Sequence, residues 1–322
     1  MGAYFFKEDI YNIFNQCIGV FMKCLSLPGS IFSTTIFGAC IFSTTLLTGC
    51  DNNSTATSPS PNTNSKSSLA TEKTTISPCA GDYILCDDFD GAEIDQSVWI
   101  IAHEDIGGKY PNRPENISLT TLEDKGETIS VVKSTTYGDL HEGAKRQGGL
   151  IKTRHMLGGG RYEIRMKNLP GPFGCSCFWN YYDSENEITP PAERIYTEID
   201  IEMPANLKPA PGWQEAKITL GLNTWSHTDR DEDATYINHA STNVNPFDGE
   251  FHVYRIDWYD GQNGELRIDW YVDDVLQAST SEHVGDHPAT LYAGAWPAPW
   301  PVMRYDFDTA DLYIDWIRVS AL

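Results

Sequence analysis

The feature that most constrains this chain is a period of two. In Arg161-Tyr162-Glu163-Ile164-Arg165-Met166-Lys167, apolar Tyr162, Ile164 and Met166 alternate strictly with charged residues. Successive side chains of an extended strand point to opposite faces, so this pattern describes a strand with one face in a core and one in water. The same pattern runs through residues 196–202, 251–258, 266–272 and 312–319. Gly158-Gly159-Gly160 precedes the first strand as a turn, Met203-Pro204 ends the second, and Asp260-Gly261 through Gly264 reads as a hairpin loop. No stretch offers a long amphipathic helix. Strands separated by turn signals over about 240 residues predict an all-β, two-sheet β-sandwich.

The first eighty residues read differently. Residues 31–47 (IFSTTIFGACIFSTTLL) are apolar and uncharged, Lys23 lies upstream beside Met22, and the run ends in Leu46-Leu47-Thr48-Gly49-Cys50 before a polar stretch. That order matches an export signal. LLTGC resembles the lipobox of bacterial lipoproteins, which implies lipidation of Cys50 and a leader over 1–49, with Met22 as a candidate start. An uncleaved transmembrane anchor is the alternative, since about 17 apolar residues lie near the lower limit for a span. Either way the remainder is exported and held at a membrane. Residues 50–78, nearly half Ser or Thr after Cys50, have no apolar periodicity and read as a flexible tether. The domain is expected over 79–322, and no internal repeat is present.

Among the cysteines, Cys79 and Cys86 bracket a short loop in an exported domain, so a disulfide between them is expected. Cys175 and Cys177 lie two apart on one strand face, a geometry read as two buried free thiols. The absence of a CxxC pair or paired histidines nearby argues against zinc. With 45 Asp plus Glu against 23 Lys plus Arg, the formal charge is −22. So acidic a chain is poorly suited to phosphate backbones, which excludes nucleic acid as the expected partner.

The chemically informative segment is Glu198-Ile199-Asp200-Ile201-Glu202. On a strand its three carboxylates share one face while both isoleucines enter the core. Four residues separate the outer α-carbons by about 13 Å. Inward-leaning side chains then bring the two Glu carboxyls to about 5–6 Å, the separation that retaining glycosidases use. Crowding pushes such carboxyls apart in pKa, leaving one ionised and another protonated. A solvated acidic face and a calcium site remain open readings of the pentapeptide alone.

YTEIDIEMP resembles the active-site strand of glycoside hydrolase family 16, which implies a concanavalin-like β-jelly roll. The resemblance continues through CDDFDG and SVW, GGGRYEIRMK, FWNYY, LNTW, FHVYRIDWY, IDWYVDD, GAW and YIDWIRV, in family order. It implies Glu198 as nucleophile, Asp200 as its helper and Glu202 as general acid/base, with no cofactor required. The motif has the short ExDxE spacing, similar to licheninases and xyloglucan-active or transglycosylating members. Laminarinases, agarases and carrageenases usually carry ExDxxE. The resemblance therefore implies a retaining endo-β-glucanase, monomeric, acting on a neutral polysaccharide such as 1,3-1,4-β-glucan. A transglycosylase would use the same residues, and a lectin-like sandwich is the non-catalytic rival.

By position, Tyr196 stands where licheninases carry a stacking Trp. Glu163, Arg165 and Asn223 are expected to hydrogen-bond sugar, and Trp225, Trp296 and Trp300 to offer aromatic faces to it. Trp258, Trp270 and Trp316 are assigned to the core, and His252 to a structural role. Asp315 matches an Asp that ligates a structural calcium in some licheninases. Residues 185–194 and 229–245 are longer and more polar than in compact licheninases, and Pro297-Ala298-Pro299 between the late tryptophans is unusual.

Overall fold

A computed structural model describes residues 77–322 apart from 107–109, 144–145, 188, 190, 192–193, 204–219, 227–234, 241–243 and 301–302. The leader, Cys50, nearly all of the tether and parts of the two long polar loops lie outside the described residues. The described residues form seventeen strands: β1 (Leu85–Asp87), β2 (Trp99–Ile101), β3 (Asp105–Ile106), β4 (Tyr110–Pro111), β5 (Ile117–Asp124), β6 (Glu127–Tyr137), β7 (Gly149–Thr153), β8 (Gly160–Lys167), β9 (Cys175–Asp183), β10 (Tyr196–Met203), β11 (Leu220–Ser226), β12 (Thr235–Ala240), β13 (His252–Asp260), β14 (Leu266–Val272), β15 (Val275–Thr280), β16 (Thr290–Trp296) and β17 (Thr309–Ser320).

Two antiparallel sheets hold nearly all of them. One has the order β15-β14-β13-β8-β17-β6-β5, with β1 also paired to β17. The other runs β12-β11-β10-β9-β16-β7-β2. This is the expected sandwich. Tyr162, Ile164 and Met166 of β8, Ile199 and Ile201 of β10, and Trp258 and Trp270 of β13 and β14 are fully buried in one cluster between the sheets. Full burial of each such side chain contributes roughly 1.5–3 kcal/mol. The hairpins follow from local chemistry. Two-residue loops at Lys125-Gly126 (φ 49° and 83°) and Asp273-Asp274 (φ 47° and 62°) take the left-handed conformation that matches strand twist.

One strand departs from strict alternation. Between Ile314 and Trp316 the register of β17 against β8 shifts, leaving Asp315 as the extra residue. Ile314 and Ile317 both enter the core. Trp316 therefore turns to the outer face, where it is covered by the Arg318 guanidinium 4.5 Å above its ring. The expectation that Trp316 is a core residue is corrected: it is buried, but outside the sandwich. Cys79 and Cys86 are disulfide-bonded, as their spacing suggests. Cys175 and Cys177 are also bonded to each other rather than free. Their α-carbons lie 5.6 Å apart, within the reach of a disulfide, because this end of β9 is more contracted than the fully extended strand that spacing alone assumes. His252 has the structural role assigned to it, hydrogen-bonded to Asp273 at 2.7 Å and Asp248 at 3.2 Å.

Candidate active site

β10 is a central strand of the seven-stranded sheet, flanked by β9 and β11. Its alternation is the predicted one. Ile199 and Ile201 anchor it in the core, so Tyr196, Glu198, Asp200 and Glu202 share the face turned away from the core. Register places a neighbour on each side of each acid. Glu198 lies between Tyr181 and Trp225, Asp200 between Trp179 and Asn223, and Glu202 between Cys177 and Gly221.

The two glutamates are held by neutral donors. The Tyr196 hydroxyl donates to Glu198 Oε2. The Asn223 amide donates to Glu202 Oε2 at 2.9 Å. Asp200 is buried between them. Part of the Glu202 side chain remains reachable from solvent, yet the protein packed around its carboxyl pushes its pKa up to about 8. Desolvation is the main cause and the Glu198 charge adds to it, while the Asn223 bond opposes both. Glu202 thus keeps its proton at neutral pH, which a general acid requires.

Beside the acids is an aromatic floor. Trp179 of β9 stacks on Tyr292 of β16 with centroids 4.7 Å apart, and Tyr181 meets both Tyr292 and Tyr196 edge-on. Lys152 of β7 continues the row past Tyr292 and is held by both oxygens of Glu104 at 3.0 Å. Trp296 and Trp300 meet edge-to-face at 5.4 Å and pack on the same floor, with Trp296 opposite Cys175. A carboxyl pair on a partly dry, aromatic-lined face has what acid/base cleavage of a carbohydrate needs: flat surfaces for sugar rings and a proton donor across from a second acid.

A family model for glycosyl hydrolases family 16 matches residues 109–318. The chain belongs to that family. The family-16 domain is a glycoside hydrolase, and its sandwich recurs in solved structures. A β-1,3-1,4-glucanase (lichenase) from a mouse hindgut metagenome aligns with a TM-score of 0.52 and 20% identity, over 74% of this chain and 99% of that one. An endo-1,3-β-glucanase (laminarinase) catalytic domain from Thermotoga petrophila gives 0.53 and 20%, over 74% and 96%. Porphyranase B from Zobellia galactanivorans gives 0.53 and 20%, over 74% and 91%. No curated protein sequence matches the chain.

Within this family-16 hydrolase the expected binding residues divide. Trp225, Asn223, Trp296 and Trp300 lie on or beside the face that carries the acids. Asn223 is 2% exposed and is spent on Glu202 rather than open to a ligand. Tyr196 is on the right face but only 1% exposed, so it offers no stacking surface. Glu163 and Arg165 are corrected outright. They belong to β8 in the other sheet, and because Tyr162, Ile164 and Met166 face inward, they point to that sheet's outer side. Glu163 is paired with Arg318 at 2.7 Å, and Arg165 with Asp124 at 2.5 Å and with Asp315.

The Arg165 pairing bears on the calcium expectation. Asp315 is paired with a guanidinium that a cation there would have to displace, and among the described residues no group of three His, Cys, Asp or Glu side chains is placed to hold a metal. Sequence reasoning misses Trp179, Tyr181, Tyr292, Lys152, Glu104, Asp183 and Arg194. For Trp179, Tyr181 and Asp183 a signal exists: once β10 is oriented, odd-numbered residues of β9 must share the face of Glu198. Arg194 stands two residues before β10 in a loop whose path alternation does not give, and Tyr292, Lys152 and Glu104 come from segments distant in sequence.

Proposed function

We propose that the protein is a retaining endo-β-glucanase that cleaves a neutral polysaccharide, 1,3-1,4-β-glucan or a related polymer, by double displacement. The observation that carries this is the pairing of Glu198 with a Glu202 whose proton is retained to about pH 8, four residues apart on one strand face. Glu198 attacks the anomeric carbon while Glu202 passes its proton to the departing oxygen. Glu202, now ionised, takes a proton from water, and the resulting hydroxide displaces Glu198 from the sugar. Asp200, buried between the two, orients the nucleophile. Trp179, Tyr292, Trp225 and Trp296 supply the surfaces on which sugar rings stack.

The short ExDxE spacing supports a glucan, as does the lichenase among the structural neighbours. The laminarinase and porphyranase on the same fold make the polymer a matter for experiment. Reducing-end release is measured across barley β-glucan, xyloglucan, laminarin, agarose and chitin, with sizing of products. Release of short oligosaccharides from barley β-glucan is expected. Exclusive activity on another polymer would overturn the substrate assignment, and products longer than the starting oligosaccharide would make the enzyme a transglycosylase.

The LLTGC sequence and the tether after it support export and lipid anchoring at Cys50, placing the domain at a cell surface or in a periplasm. Cys50→Ala is expected to move the protein from the membrane to the soluble fraction, and unchanged partitioning would remove the lipid from the account.

A further inference from the structure

Tyr196 is enclosed on every side that the sequence would have opened to sugar. The Arg194 guanidinium lies 4.9 Å from its ring centroid, and Tyr181 meets it edge-on at 5.7 Å. Its hydroxyl donates to Glu198 Oε2. Arg194 is in turn clamped by Asp183 through bonds of 2.9 and 2.5 Å, and Asp183 is the cross-strand partner of Tyr196. Backbone bonds close the loop behind them, from Ser184 N to Ile195 O at 3.0 Å and from Ile195 N to Ser184 Oγ at 2.8 Å. Asp183, Arg194, Tyr196 and Glu198 therefore form one chain of contacts fixed at the start of β10.

A phenylalanine would fill the same space between Tyr181 and Arg194. What the hydroxyl adds is a bond to the carboxylate, and a buried hydroxyl requires such a partner. The Asp183 bonds keep Arg194 charged, and a cation over the ring face draws electron density from the phenol and makes its O–H a better donor.

We propose that Tyr196, backed by Arg194, is a positioning residue that fixes the orientation of the Glu198 carboxylate by holding its Oε2. The proposal rests on Glu198 being the nucleophile. As the Glu198 carboxylate bonds to the anomeric carbon, the bond from that carbon to the leaving oxygen breaks and Glu202 gives that oxygen its proton. Tyr196 keeps its own proton throughout. The Tyr196 bond is strong to the free carboxylate and weak to the ester, because the ester has lost the charge. It therefore favours breakdown of the glycosyl-enzyme, in which the carboxylate charge returns.

Among the described residues, the charged and titratable groups beside Glu198 are Tyr196, Asp200 and Glu202 on its own strand, Tyr181 and Asp183 on β9, Tyr292 on β16, and Arg194 in the preceding loop. β11 contributes Trp225 and Asn223, which do not titrate. The test is an NMR titration of protein carrying ¹³C-labelled glutamate side chains, the Glu198 resonance being assigned by its loss in Glu198→Gln. Tyr196→Phe is expected to raise the Glu198 midpoint by about one pH unit. It is also expected to lower kcat and KM together, with kcat/KM nearly unchanged, as slower breakdown of the intermediate demands. Arg194→Gln, which keeps the phenol, raises the midpoint by less. An unchanged midpoint in Tyr196→Phe overturns the proposal. If the midpoint moves but Glu198→Gln still cleaves polymer, the link between the two residues stands and the nucleophile assignment falls.

Discussion

The outward acids of the eight-stranded sheet and the two glutamates of β10 are held in opposite ways. On the eight-stranded sheet, acids are matched to guanidinium groups: Glu163 to Arg318, Asp315 and Asp124 to Arg165, and Asp257 to Arg161. On the seven-stranded sheet, Glu198 receives the Tyr196 hydroxyl and Glu202 the Asn223 amide. A guanidinium cancels charge and holds a carboxylate ionised, which makes a face cohesive and chemically quiet. A neutral donor orients a carboxylate without cancelling its charge, so burial and the neighbouring acid are left to set its protonation. The first arrangement serves stability and the second reactivity.

The comparison is broken most directly by substitution on each side. Glu198→Gln is expected to lower polysaccharide cleavage by on the order of 10⁴-fold with little change in melting temperature. Arg165→Met, on the opposite face, is expected to leave kcat near the wild-type value, and an activity loss there would end the division of labour between the faces. The same variant leaves Asp124 and Asp315 without their shared cation. Both carboxylates are mostly buried, so a cost of about 2 kcal/mol is expected, seen as a melting temperature lowered by roughly 4–8 °C.

A dependence on pH sharpens the comparison. Because Glu202 has its pKa raised in the folded state, its protonation favours folding fully below its ordinary value of 4.5, and that contribution is lost as pH rises towards about 8. Glu202→Gln has no such cost. Its melting temperature should therefore gain on the wild type as pH goes from 5 to 8 in a scanning calorimeter. A constant difference between the two proteins would mean that burial is not what holds the Glu202 proton.

Much of this is legible from alternation. The period of two in β8, β10 and β13 is enough to send Tyr162, Ile164, Ile199, Ile201 and Trp258 inward, and to put the three acids of β10 on one face. Alternation says which residues of a strand share a side. It does not say to which sheet the strand belongs. Glu163 and Arg165 are misplaced by the pattern for that reason: their strand alternates as cleanly as β10, but its outer side is the other side of the molecule. Tyr196 escapes the pattern for a different reason, because its burial is imposed by Arg194 and Tyr181, which approach from a loop and a neighbouring strand. Trp316 escapes it because one extra residue in β17 resets the period on which a core assignment depends.

That extra residue also constrains how the C-terminal strand can change over generations. β17 is the longest of the described strands, and it pairs with β1, β6 and β8. Deleting Asp315 would restore an unbroken alternation and leave every later side chain on its present face, Trp316 and Arg318 outside and Ile317 and Val319 inside. The loss would fall on Arg165, left with Asp124 as its carboxylate partner. At this one point the strand can drift in length at the cost of an ion pair, whereas its apolar letters are held by the core.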